Sequence, residues 1–167
     1  GTYSFELTEV NRGEVAERWE EPFMTKSDIP GLLYELKKGA ADTNAEGFRG
    51  PLADKTKDKL RIIALGDSVT HGMYALPYEA SWPALLQKGM QTKNYDVEVI
   101  NEGVIGYNTE QELIHFKNFG VHYNPDIVVL GYILNDFEEK VLAETDRDDL
   151  VIQVIPKERH ITKYPLL

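Results

Sequence analysis

The chain contains no cysteine. That absence excludes disulfides, thiolate metal centres and a cysteine nucleophile together, and leaves the compartment open. Positive charge is scarce, with 18 Lys and Arg against 28 Asp and Glu and a formal net charge of −10. Nucleic-acid binding is therefore disfavoured, because phosphate neutralisation needs clustered cations. The one tight basic cluster, Lys55, Lys57 and Lys59, is interleaved with Asp54 and Asp58 and reads as a solvated linker. No run approaches the ~18 apolar residues of a membrane span. Internal repeats and low-complexity segments are lacking as well, and the first residue is Gly1 rather than Met, which leaves room for a leader or anchor upstream.

What remains is an ordinary globular composition. With 167 residues, 42% hydrophobic and 28% charged, the chain suits one domain with a core, plus an arm. Residues 1–59 are polar and irregular, punctuated by Pro22, Pro30, Gly31, Gly39, Gly47, Gly50 and Pro51. They are expected to form an N-terminal arm or small β region with a linker. Short strands are predicted at YSFEL (3–7) and LLYEL (32–36), and EGFRGP (46–51) is predicted to be a turn that docks Phe48.

From Leu60 to Leu167 the pattern alternates between strand and helix. Strands are predicted at LRIIALG (60–66), DVEVIN (96–101), DIVVLGYI (126–133) and DLVIQVI (149–155). A helix over 80–91 takes Ser81 as N-cap and tolerates Pro83 in its first turn. A second begins at the capping-box pattern Thr109–Glu112 and runs to about Phe119, and a third is expected around Asp136–Glu144, with Glu138 and Glu139 on a solvated face. Such alternation predicts an α/β fold with a parallel sheet covered on both faces, a three-layer α/β/α arrangement. The apolar first and third strands fit burial on both sides.

In open parallel sheets ligands bind beyond the carboxyl ends of the strands. Gly66-Asp67-Ser68 follows the first strand, Asn101–Gly106 the second, and Asn135-Asp136 the third. If the first strand lies between the other two, Ser68 is a nucleophile flanked by a glycine-rich loop and an asparagine amide. An exposed serine on a tight turn directs its own N–H at a developing oxyanion, a neighbouring glycine admits a second backbone N–H, and asparagine supplies a donor that does not titrate. Asp67 is expected to stabilise the turn, and Gly103 to shape the loop. Trp82, Tyr74 and Tyr78 are candidates to line an acyl pocket, with core or surface packing as the default reading. Asp126 and Asp136 are too far apart in sequence to suggest a carboxylate dyad, and no metal-ligand spacing occurs.

These residues resemble a known family. GDSVTHG (66–72) is similar to the first signature block of the GDSL, or SGNH, esterase and lipase superfamily, NEGVIGYNT (101–109) to its second, and GYILND (131–136) to its glycine-asparagine-aspartate block. EGFRGP resembles the lead-in of some members. The resemblance implies a flavodoxin-like SGNH hydrolase fold over 60–167, no cofactor, Ser68 as nucleophile and oxyanion donor, Gly106 as second backbone donor and Asn135 as side-chain donor. The G-x-S-x-G elbow of standard α/β-hydrolases is absent, as the resemblance implies.

The family's general base comes from a late Asp-x-x-His block. None of His71, His115, His122 and His160 has an Asp three residues before it, so the domain is expected to be incomplete at its C-terminus, with an unpaired sheet edge open to homo-oligomerisation. His71 is read as a site-wall or first-turn residue, His115 and His122 as structural or exposed, and His160 as part of a polar tail. The leading expectation is an ester hydrolase acting on lipid, small acyl or carbohydrate O-acetyl esters, with an O-acyltransferase as a close variant. A noncatalytic or truncated ligand-binding member is the alternative, and a phosphate binder is disfavoured because Asp67 would repel the anion. The resemblance favours export, periplasmic or extracellular, over a cytoplasmic location.

Overall fold

A computed structural model of the chain describes residues 23–40, 42–54, 56, 58–133, 139–144 and 150–155. Its centre is a parallel sheet of three strands, β3 (Leu60–Gly66), β4 (Val97–Gly103) and β5 (Ile127–Gly131), in the order β4-β3-β5. The first strand of the domain thus lies between the other two, as the site reading required. Gly66 stands in register with Gly103 on one side and Gly131 on the other, so all three strands end at the same level.

Helices cover both faces. Helix α2 (Trp82–Gln91) packs Trp82, Leu86 and Met90 against Ile62, Ala64, Val97 and Val99. On the opposite face, Phe116 of helix α3 (Thr109–Asn118), with Phe119 and Tyr123, meets Ile63, Leu65 and Ile100. Alternate residues of β3 therefore serve opposite layers, which is why Ile62 to Leu65 are all apolar. The chain winds from β3 to β4 on one side and then crosses to β5 on the other, and this reversal sends α2 and α3 to opposite faces. The α/β/α fold is as expected.

The arm contributes a hairpin of β1 (Met24–Lys26) and β2 (Tyr34–Leu36), antiparallel, with Lys26 opposite Tyr34. Leu32, Tyr34 and Leu36 are buried against Val104 and Tyr107 of the main domain. Phe48 docks beside Ile63 and Leu65, as the EGFRGP turn suggested. The predicted strand at 3–7 and the cations Lys55 and Lys57 lie outside the described residues.

Several expectations need correction. The capping box of α3 is formed by Asn108 and Gln111, one residue before the predicted pair: Asn108 Oδ1 accepts from the Gln111 N–H at 2.9 Å, and Gln111 Oε1 accepts from the Asn108 N–H at 3.1 Å. Asparagine outranks threonine as an N-cap, and Glu112 is instead turned into the buried face. Ser81 occupies the N-cap position of α2 but makes no capping bond. Pro83 at the second helical position has no N–H to offer, which removes one of the two usual partners.

The helix expected around Asp136–Glu144 is overturned by strand β6 (Glu139–Glu144), which pairs antiparallel with β7 (Leu150–Ile155). Glu139 thus begins a strand rather than lying on a helix face, and Glu138 lies outside the described residues. Glu, Lys, Leu and Ala favour helix locally, but a β-rich partner only a few residues downstream closes a small loop at low entropic cost. The strand predicted at 149–155 is therefore part of a hairpin. The two-sided burial expected for the third strand also fails: β5 is an edge with a single described neighbour, and Ile127, Val128 and Leu130 are exposed.

Candidate active site

Ser68 opens a one-turn helix, α1 (Ser68–His71), immediately after β3. Asp67 caps it, its Oδ1 accepting from the Val69 N–H at 2.9 Å while Oδ2 accepts from the Ser68 hydroxyl at 3.3 Å. The aspartate is fully buried and stabilises the turn, as expected. Ser68 itself is half-buried, reachable at the strand end.

The turn rests directly on the sheet because three glycines lie beneath it. A Cβ on Gly103 would sit 2.1 Å from the backbone N of His71, and one on Gly66 or Gly131 would fall 2.1 or 2.4 Å from Thr70 Oγ1. Any side chain at Gly103 would lift α1, so this glycine shapes the site by its close approach. Gly106, by contrast, sits half-buried in the turn beyond β4 with φ of +84°, a left-handed conformation that suits glycine. The loops carrying Ser68 and Gly106 are stitched together where the Val104 N–H donates to the Gly66 carbonyl at 3.0 Å. Asn135, four positions after the end of β5, lies outside the described residues.

The far end of α1 is held by a residue that sequence reasoning missed. Arg49 is 1% exposed, pairs with Asp42, and donates from Nη1 to the carbonyls of His71 (2.7 Å) and Gly72 (2.5 Å) and from Nη2 to that of Ala75 (2.7 Å). Its backbone also forms an antiparallel bridge with Asn101 of β4. Burial lowers the guanidinium pKa, opposed by Tyr78 and Glu79. Tyr78 packs on it, with the guanidinium 5.7 Å from the ring centroid. Tyr34 was also missed: its hydroxyl donates to the carbonyl of Ile105, next to Gly106, at 2.9 Å. The alternating Leu32-Tyr34-Leu36 pattern carried a signal, since a phenol on a buried strand face needs a hydrogen-bond partner.

Among the described residues, His71 and His115 are buried and His122 is exposed. His71 is a buried first-turn residue of α1, and its carbonyl also accepts from Asn101 Nδ2 at 3.3 Å. His115 is buried, with Nδ1 2.8 Å from Glu102 Oε1, and Glu102 accepts from the Gly120 N–H at 3.2 Å. His122 is exposed and lines a cavity of about 420 Å³ with Asp54 and Arg61, at the opposite end of β3 from Ser68. His160 lies outside the described residues.

Fold and site together define a class: a doubly wound α/β domain that presents a serine on a tight turn beyond its central strand, beside a glycine turn from the neighbouring strand. Residues 62–157, more than half of the chain, match the model of the GDSL-like Lipase/Acylhydrolase family, and the chain belongs to that family. It is 34% identical over 87 residues to an arylesterase of Vibrio mimicus, a match that covers 50% of this chain and 43% of that protein. The chain thus spans less than half the length of this curated relative. A solved structure of a mutant of the esterase AlinE4 is 27% identical, with a TM-score of 0.40, over 46% of this chain and 41% of that one. Among the described residues no helix is long and apolar enough to cross a membrane.

Proposed function

We propose that this chain carries the nucleophile and oxyanion site of a serine ester hydrolase of the GDSL type. The observation that carries the reading is the placement of Ser68 at the end of the central strand, within the family-matched residues, beside the Gly106 turn. In this reaction the Ser68 hydroxyl loses its proton to a general base and its oxygen bonds to the carbonyl carbon of a carboxylic ester. The oxyanion is received by the N–H groups of Ser68 and Gly106 and by the side chain of Asn135. Collapse expels the alcohol, and water then releases the acid from the acyl-serine. We assign the base to none of the described histidines: His71 is buried in the first turn, His115 is buried among Phe48, Tyr107 and Phe119, and His122 lies at the opposite end of the sheet. Small acyl, lipid and carbohydrate O-acetyl esters are the substrate classes that this chemistry serves.

The test is hydrolysis of p-nitrophenyl acetate and butyrate by the full-length protein, with fluorophosphonate labelling read by mass spectrometry. Wild type is expected to carry the label on Ser68, and Ser68→Ala to lose about a thousandfold or more in kcat. Undiminished hydrolysis or labelling in Ser68→Ala would sink the assignment.

A further inference from the structure

The turn that presents Gly106 belongs to a kind with two backbone forms. Val104–Tyr107 is closed by the Tyr107 N–H donating to the Val104 carbonyl at 3.2 Å. Gly106 has φ of +84°, whereas Ile105 is not among the positive-φ residues, which makes this a type II turn. Types I and II differ by a flip of the central peptide, here Ile105–Gly106, and glycine in the third position accepts either form. A trans peptide is planar, so its C=O and N–H point in opposite directions. Whatever fixes the Ile105 carbonyl therefore fixes the direction of the Gly106 N–H.

The group that fixes it comes from the arm. Tyr34, in β2, is fully buried, and its hydroxyl donates to the Ile105 carbonyl at 2.9 Å. The Tyr107 hydroxyl in turn donates to the carbonyl of Tyr34, and the two rings pack with centroids 5.3 Å apart. We propose that Tyr34 is a positioning residue that holds the Ile105–Gly106 peptide in the type II form, aiming the Gly106 N–H at the oxyanion. The inference rests on the assignment of Gly106 as an oxyanion donor. It gives Tyr34, which precedes the family-matched residues 62–157, a positioning role toward the site. Burial raises the Tyr34 phenol pKa far above its ordinary value, so the donor stays protonated at any working pH. Without the hydroxyl, the turn samples type I, and the N–H then faces away from the site.

The experiment compares wild type, Tyr34→Phe, Leu32→Val and Ser68→Ala in the full-length protein, using p-nitrophenyl acetate and a small alkyl boronic acid that mimics the tetrahedral intermediate. Leu32→Val loosens the same core cluster without touching the Ile105 carbonyl. Tyr34→Phe is expected to lower kcat by tenfold or more with KM unchanged, short of the ~10²–10³-fold lost when a donor is deleted outright. Boronate affinity should fall by a similar factor, and the downfield shift of the Gly106 amide proton on boronate binding should shrink. Leu32→Val should keep kcat within about twofold, as expected where packing alone is disturbed. Wild-type kcat and boronate affinity in Tyr34→Phe, a change confined to KM, or an equal kcat loss in Leu32→Val would each overturn the proposal. Full activity in Ser68→Ala would instead remove the reading on which it rests.

Discussion

The guanidinium of Arg49 donates to the carbonyl of His71 at 2.7 Å, joining the arm to the last residue of the helix that begins at Ser68. The same group serves Gly72 and Ala75 and is paired with Asp42. Removing it in Arg49→Ala takes a charged donor from three carbonyls around the end of α1 and the cation from Asp42. Such losses cost about 3–5 kcal/mol in comparable buried pairs. Urea unfolding is expected to show that range for Arg49→Ala and little recovery for Arg49→Lys, because an ammonium cannot reproduce the planar fork.

Gly103 and Gly89 should respond in opposite ways to the same substitution. A Cβ at Gly103 falls 2.1 Å from the His71 backbone, whereas a Cβ at Gly89, inside α2, meets nothing within 4 Å. Gly103→Ala is expected to destabilise by on the order of 3 kcal/mol through overpacking. It should also cut ester turnover by roughly a hundredfold if α1 shifts by about an ångström. Gly89→Ala should stabilise by about 0.5–1 kcal/mol, since alanine is the better helix former. Thermal melts of the two variants give a direct comparison.

The buried pair Glu102 and His115 forms a further point of vulnerability. Glu102 is 1% exposed and accepts from the Gly120 N–H as well as facing His115 Nδ1. Glu102→Ala strands both partners and should cost about 1–3 kcal/mol for each unsatisfied group, while Glu102→Gln keeps an acceptor and should cost less. Equal denaturation midpoints for the two variants would contradict this.

Stability should fall on the alkaline side. Burial raises the phenol pKa values of Tyr34 and Tyr107 above their ordinary 10.0, and Tyr107 is pushed further by Tyr34, Glu35 and Glu102. The unfolded chain ionises these phenols first, so their contribution is fully present below about pH 10 and is lost progressively as pH rises beyond it. Urea midpoints measured from pH 8 to 11 should drop steeply above pH 10. The drop should be shallower in Tyr34→Phe, which removes one of the two groups.

Much of the candidate site was legible because its elements are local. Strand β3 matches the predicted 60–66 run, since a strand between two helical layers shows an apolar run such as Ile62 to Leu65. Asp67, Ser68 and the Gly103–Gly106 loop follow from strand ends and turn chemistry, which involve near neighbours only. The capping box slipped by one residue because two overlapping patterns, Asn108–Gln111 and Thr109–Glu112, compete and differ by local geometry. Strand β6 was misread because propensity carries no information about a pairing partner.

The α/β class, the serine at the end of a strand and the glycine turn beside it were readable from residue order, because periodicity and turn residues act within a few positions. Folding across the chain placed β3 between β4 and β5, and brought Arg49 and Tyr34 across 22 and 71 residues to carbonyls beside Ser68 and Gly106. Those bonds answer the demand of buried carbonyls for donors, a demand that leaves no mark on the sequence around them.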